Sequence, residues 1–149
     1  MSRVLVPVDF SEGSDRALKW AAELVRVAGG TLDVLHVVLP LHQLDPFFRA
    51  GSLPARTLAR IRERAAARIA ALLRPEAVRY TFRLVEGEPA ACILDQIDRR
   101  KPALVVMGTH GRRGVTRLLL GSVTQKVARA ATVPVVTVPP PRPAQRVSA

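Results

Sequence analysis

The chain has 149 residues, 48% of them hydrophobic, and a formal net charge of +11 from 23 basic against 12 acidic side chains. That length buries one core and is too short for two ordinary domains, and no apolar run approaches the ~18 residues that a membrane helix needs. The positive balance, carried by twenty arginines and only Lys19, Lys101 and Lys126, favours anionic partners without identifying them.

The opening MSRVLVPVDF lacks the n-region, apolar h-region and cleavage site of a secretory signal, so a cytoplasmic protein is expected. Val4-Leu5-Val6-Pro7-Val8 is short and β-branched and ends at Asp9 and Ser11, which reads as a buried strand entering a turn. A helix follows, capped by Ser11 or Ser14, with Ala17, Leu18, Ala21, Leu24, Val25 and Ala28 at helical spacing and Gly29-Gly30 as its stop. Thr31 to Val38 is a second strand. Leu39 to Pro54, rich in proline and without period, is expected to be a long surface loop.

From about Ala55 to Leu73, Leu58, Ile61, Ala65, Ile69 and Leu72 share one helical face, and Pro75 ends the helix. Val78 to Val85 alternates as a strand, and Glu88-Pro89 suits the first turn of a helix running to Arg99. Ala103 to Met107 is the most apolar strand, followed by Gly108, a loop, a helix from about Gly121 to Ala131 and a last strand from Val133 to Val138. The expected fold is α/β, an open five-stranded parallel sheet with helices on both faces, because each parallel crossover needs a helix-sized connection. Residues 1–138 form the expected domain. The Pro-rich tail 139–149 is expected to be extended or disordered.

Ligands in such sheets bind beyond the carboxyl ends of the strands where strand order reverses, which places Asp9 and Gly108 on the functional edge. Gly108-Thr109-His110-Gly111 follows a buried strand, and Gly121-Ser122-Val123-Thr124 opens a helix. Glycines there allow positive φ and close backbone approach, while amides at a helix start attract phosphate. Ser122 and Thr124 add hydroxyls, and Arg112, Arg113 and Arg117 lie in the same loop. On these residues alone the stretch fits either phosphate binding or plain turn chemistry. No GxxxxGK[ST] and no GxGxxG after the first strand are present.

Other candidates have plainer readings. His36 and His110 lack acidic or cysteine neighbours at ligand spacing. Arg56, Arg60, Arg64 and Arg68 recur along one helix flank, as a nucleic-acid stripe or, favoured here, as a solvated face, since no aromatic platform accompanies them. Cys92, the single cysteine, excludes an internal disulfide and a zinc site, and reads as a small buried hydrophobe.

Gly108, Gly111, Gly121 and Ser122 stand as glycine, two residues, glycine, nine residues, then glycine and serine, which resembles the signature of the universal stress proteins and their ATP-binding branch. PVDFS at 7–11, LHV at 35–37 and the valine-rich last strand support the resemblance across about Arg3 to Val138. It implies a Rossmann-type fold of the adenine nucleotide alpha hydrolase-like kind. It implies ATP with Asp9 on the ribose, the Val37 backbone on adenine, and Pro7 and Val8 shaping the base pocket. Gly108, His110, Gly111 and Arg112 would border phosphates and ribose, with Gly121, Ser122, Val123 and Thr124 clasping the triphosphate and Mg²⁺ held mainly by phosphates and water.

No general base is assigned, so at most slow ATP hydrolysis is expected, and no residue is expected to ligate metal. The resemblance also implies a homodimer through Val133 to Val138, an otherwise exposed apolar edge that Pro134 interrupts. Regulatory protein partners are expected but not identified. Two alternatives to a nucleotide-dependent regulatory or stress-response protein are a dimeric interaction module without ligand and, less favoured, a basic nucleic-acid-binding protein.

Overall fold

The computed structural model describes residues 2–47, 51–110 and 120–141. In chain order it contains β1 (Ser2–Val8), α1 (Glu12–Ala28), β2 (Gly30–Val38), α2 (Leu41–Leu44), α3 (Ala55–Leu73), β3 (Tyr80–Glu86), α4 (Pro89–Arg100), β4 (Leu104–Gly108), α5 (Ser122–Ala130) and β5 (Val135–Val138). The single-turn α2 lies within the segment expected to be a loop. The β3 run begins at Tyr80 rather than Val78, because Pro75 sits in a 3₁₀ turn and Ala77 takes a left-handed conformation before the strand starts.

All strand pairs are parallel, in the order β3-β2-β1-β4-β5. The chain builds outward from β1 through β2 to β3, then returns to the other side of β1 for β4 and β5. Strand order therefore reverses between β1 and β4, the position beyond whose carboxyl ends ligands bind in open parallel sheets.

Alternation along the strands supplies two cores. On one face Val4, Val6, Leu32, Val34 and Val106 meet Ala17, Leu18 and Ala21 of α1 and Ile69 of α3. On the other, Leu5, Leu35, Val105 and Met107 meet Ala90, Ile93 and Ile97 of α4 and Val127 of α5. The central strands read as continuous apolar runs because both of their faces are covered. Asp33 and His36 are the buried polar exceptions in β2, and Asp33 is held by the Thr81 hydroxyl at 2.6 Å and the Arg83 guanidinium at 3.1 Å. Thr81 is its register partner on β3.

The last strand is shorter than its apolar run. Val105 donates its N–H to the Pro134 carbonyl at 2.9 Å, and Thr109 donates to Val138 at 3.3 Å. Even-numbered residues of this segment thus turn their peptide groups toward β4. Pro134 lies just before the strand, so its missing N–H falls on the β4 side and leaves the open edge unaffected.

Candidate functional site

β1 delivers Asp9 to the carboxyl edge of the sheet through a tightly bonded turn. The Asp9 Oδ1 accepts the N–H of Ser11 at 3.0 Å and its hydroxyl at 2.6 Å. Ser11 in turn caps α1, its Oγ accepting the Ser14 N–H at 3.2 Å. The buried Ser14 closes the loop, with its Oγ accepting the Asp9 N–H at 3.3 Å and donating to the Ser11 carbonyl at 3.1 Å. Of the two alternative caps, Ser11 is therefore the cap and Ser14 a brace. Phe10, between Asp9 and Ser11, has φ 62°, a left-handed conformation unusual for a large side chain.

β4 delivers Gly108. Its φ lies outside the left-handed region, so positive φ is not the reason glycine stands there. The reason is proximity: a Cβ on Gly108 would lie 2.7 Å from the carbonyl carbon of Gly13 and 2.8 Å from its oxygen. A Cβ on Gly13 would in turn lie 2.8 Å from the His110 carbonyl oxygen. The first turn of α1 and the end of β4 are packed backbone to backbone. The sequence reading missed Gly13, although a glycine four residues beyond Asp9 is the available signal for such contact.

α5 is anchored to the same place. The Gly121 N–H donates to the Thr109 carbonyl at 2.7 Å, and the buried Thr124 hydroxyl donates to the Gly108 carbonyl at 3.0 Å. Thr124 is thus committed to joining α5 to β4. The first bond within α5 runs from the Gln125 N–H to the Gly121 carbonyl at 2.9 Å. The preceding amides of Ser122, Val123 and Thr124 have no carbonyl within the helix, and Gly121 provides no side-chain cap. By contrast Ser11 caps α1, and Glu88 caps α4 by accepting the Ala91 N–H at 2.7 Å. The α5 amides therefore supply partial positive charge to an anion at this end.

β2 contributes Val37. The Leu32 N–H donates to Arg79, and the Val38 carbonyl accepts from Gly87, so even-numbered residues of β2 direct their peptide groups to β3 and odd-numbered ones to β1. The β1 ladder ends at the Val8–His36 rung, which leaves Val37 just past the end of β1, with Pro7 and Val8 on the neighbouring strand. His36 is buried, and its Nδ1 bonds the Val8 carbonyl at 2.8 Å. The Nδ1 of His110 bonds the Thr109 hydroxyl at 2.9 Å.

The structure thus brings Pro7, Val8, Asp9, Val37, Gly108, His110, Gly121, Ser122, Val123 and Thr124 to one sheet edge. Gly111, Arg112, Arg113 and Arg117 lie outside the described residues, as does the tail from 142 onward. Cys92 is half-buried rather than buried, its Sγ lying against Gly87. Burial and the nearby Glu88 and Asp95 push its thiol pKa up, which keeps it protonated and a poor nucleophile.

The whole-chain pattern agrees with this geometry. The family model described as "Universal stress protein family" matches residues 1–139. The chain belongs to the universal stress protein family. A universal stress protein of Thermus aquaticus is 34% identical over 138 residues, which cover 91% of this chain and 96% of that one. A solved universal stress protein in complex with cAMP is 26% identical, with a TM-score of 0.63 and coverage of 92% and 95%. The universal stress protein of Archaeoglobus fulgidus, solved with dAMP, is 24% identical, with a TM-score of 0.69 and coverage of 92% and 97%. Some structural neighbours thus hold nucleotides. Among the described residues no helix is long and apolar enough to cross a membrane.

Proposed function

We propose that this universal stress protein binds ATP in the β1–β4 crevice and acts in the cytoplasm as a nucleotide-dependent regulatory or stress-response protein. The observation that carries this reading is the convergence, at the point where strand order reverses, of Asp9 held by its serine brace and the three α5 amides without helical partners. Asp9 suits ribose hydroxyls, the amides suit phosphate, and Val37 offers backbone groups to adenine. A relative solved with cAMP supports an adenine nucleotide as the ligand class.

Mg²⁺ would be held mainly by phosphates and water, since Asp9 already has Oδ1 engaged by Ser11. No residue is assigned as a general base, so the reading is binding, with hydrolysis at most slow. The reading takes residues 1–138 as one domain with 139–149 as a tail outside it. It also takes the open edge of β5 as the contact in a homodimer, with regulatory partners unidentified.

Thermal unfolding tests the binding claim. ATP with Mg²⁺ at about 100 times its Kd should stabilise the fold by roughly 2.7 kcal/mol. An unchanged midpoint at millimolar nucleotide would sink the reading.

A further inference from the structure

Arg68 belongs to the arginine stripe of α3, yet it differs from Arg56, Arg60 and Arg64 in what it touches. Its guanidinium crosses to α1, pairing with the Asp15 carboxylate at 2.5 Å, and donates to the Phe10 carbonyl at 3.1 Å. The same group lies 5.3 Å from the centroid of the Phe10 ring. That ring packs on His36 with centroids 4.7 Å apart and planes inclined at 51°, and His36 bonds the Val8 carbonyl at 2.8 Å. One stack, guanidinium on phenyl on imidazole, therefore runs from α3 to β2.

The members of this stack occupy telling positions. Phe10 follows Asp9, and His36 precedes Val37. Phe10 also carries the left-handed backbone, at φ 62°, a conformation that a bulky residue holds only when its surroundings impose it. Arg68 supplies both a donor to that carbonyl and a cation over that ring, so it holds the conformation from two directions.

We propose that Arg68 is a positioning residue for the nucleotide, fixing the Asp9–Phe10 turn and, through Phe10 and His36, the placement of Asp9 relative to Val37. This rests on the nucleotide reading above. Arg68 acts on the ribose and base side of the site and has no phosphate contact of its own in this role. Its side chain is 49% exposed, so its removal affects the precision of the turn more than the stability of the fold.

The test is calorimetric titration of ATP and, separately, of adenosine into the wild-type chain, Arg68→Met and Arg68→Lys. Losing one charge-assisted bond and its stacking predicts about tenfold weaker binding of both ligands to Arg68→Met. Arg68→Lys keeps a charge for Asp15 but lacks the planar fork, so its affinities should fall between the two. The midpoint without nucleotide should drop by only a few degrees. Wild-type affinity in both variants would overturn the proposal. So would weaker ATP binding with adenosine unchanged, which would make Arg68 a phosphate contact. Should Arg68→Met not fold, Arg68→Lys carries the same ATP-to-adenosine comparison. A wild type that binds neither ligand would instead refute the nucleotide reading itself, and this inference with it.

Discussion

Gly108 shows how little room the contact between β4 and α1 leaves for a side chain. A single methyl there meets the Gly13 backbone at 2.7 Å, a distance that only movement of α1 or β4 relieves. Gly108→Ala is therefore expected to destabilise the fold by about 1–3 kcal/mol, as overpacking does, measured by urea denaturation. It should also weaken nucleotide binding, since the shift moves Asp9 relative to α5. An unchanged denaturation midpoint would show that the two backbones separate at no cost. The placement of Asp9 and Gly108 at strand ends and of Gly121 at a helix start was legible from the sequence, because apolar strand runs and a helical pattern mark those boundaries. Gly13, Phe10 and Arg68 were not, because their roles arise between segments distant in sequence: Arg68 bonds Phe10 across 58 positions. A regular four-residue arginine spacing made Arg68 look like its neighbours, and only the packing of α3 on α1 separates them.

Helix and strand identity followed from periodicity, and the deviations have local causes. α3 runs from Ala55 to Leu73 as its apolar stripe predicts, and Glu88 and Pro89 open α4 as cap and first residue. The expected start of the last strand at Val133 gives way to Val135, since Pro134 lacks the N–H that a further rung toward β4 would use. This geometry also sharpens the proposed dimer. With even-numbered residues facing β4, the N–H groups of Val135 and Thr137 point to the open edge. Thr137→Pro removes one outward donor without removing a bond to β4. Sedimentation should find the wild type dimeric and Thr137→Pro predominantly monomeric, with similar circular dichroism. A monomeric wild type, or a variant that stays dimeric, would contradict edge pairing through β5.

At the scale of the molecule, two apolar layers cover the two faces of the sheet. The strand order, with β1 and β4 adjacent, gathers residues from positions 9, 37, 108 and 121–124 at one sheet edge, and no single segment of the sequence contains the proposed site. The +11 charge is compatible with a polyphosphate and equally with nucleic acid, so composition alone does not choose between them. The measurement that does is an amide chemical-shift titration of the isotope-labelled chain with ATP and Mg²⁺. The account predicts saturable shifts concentrated at Asp9, Val37, Gly108 to His110 and Ser122 to Thr124. No saturable shifts, or shifts confined to the exposed arginine flank of α3, would contradict it.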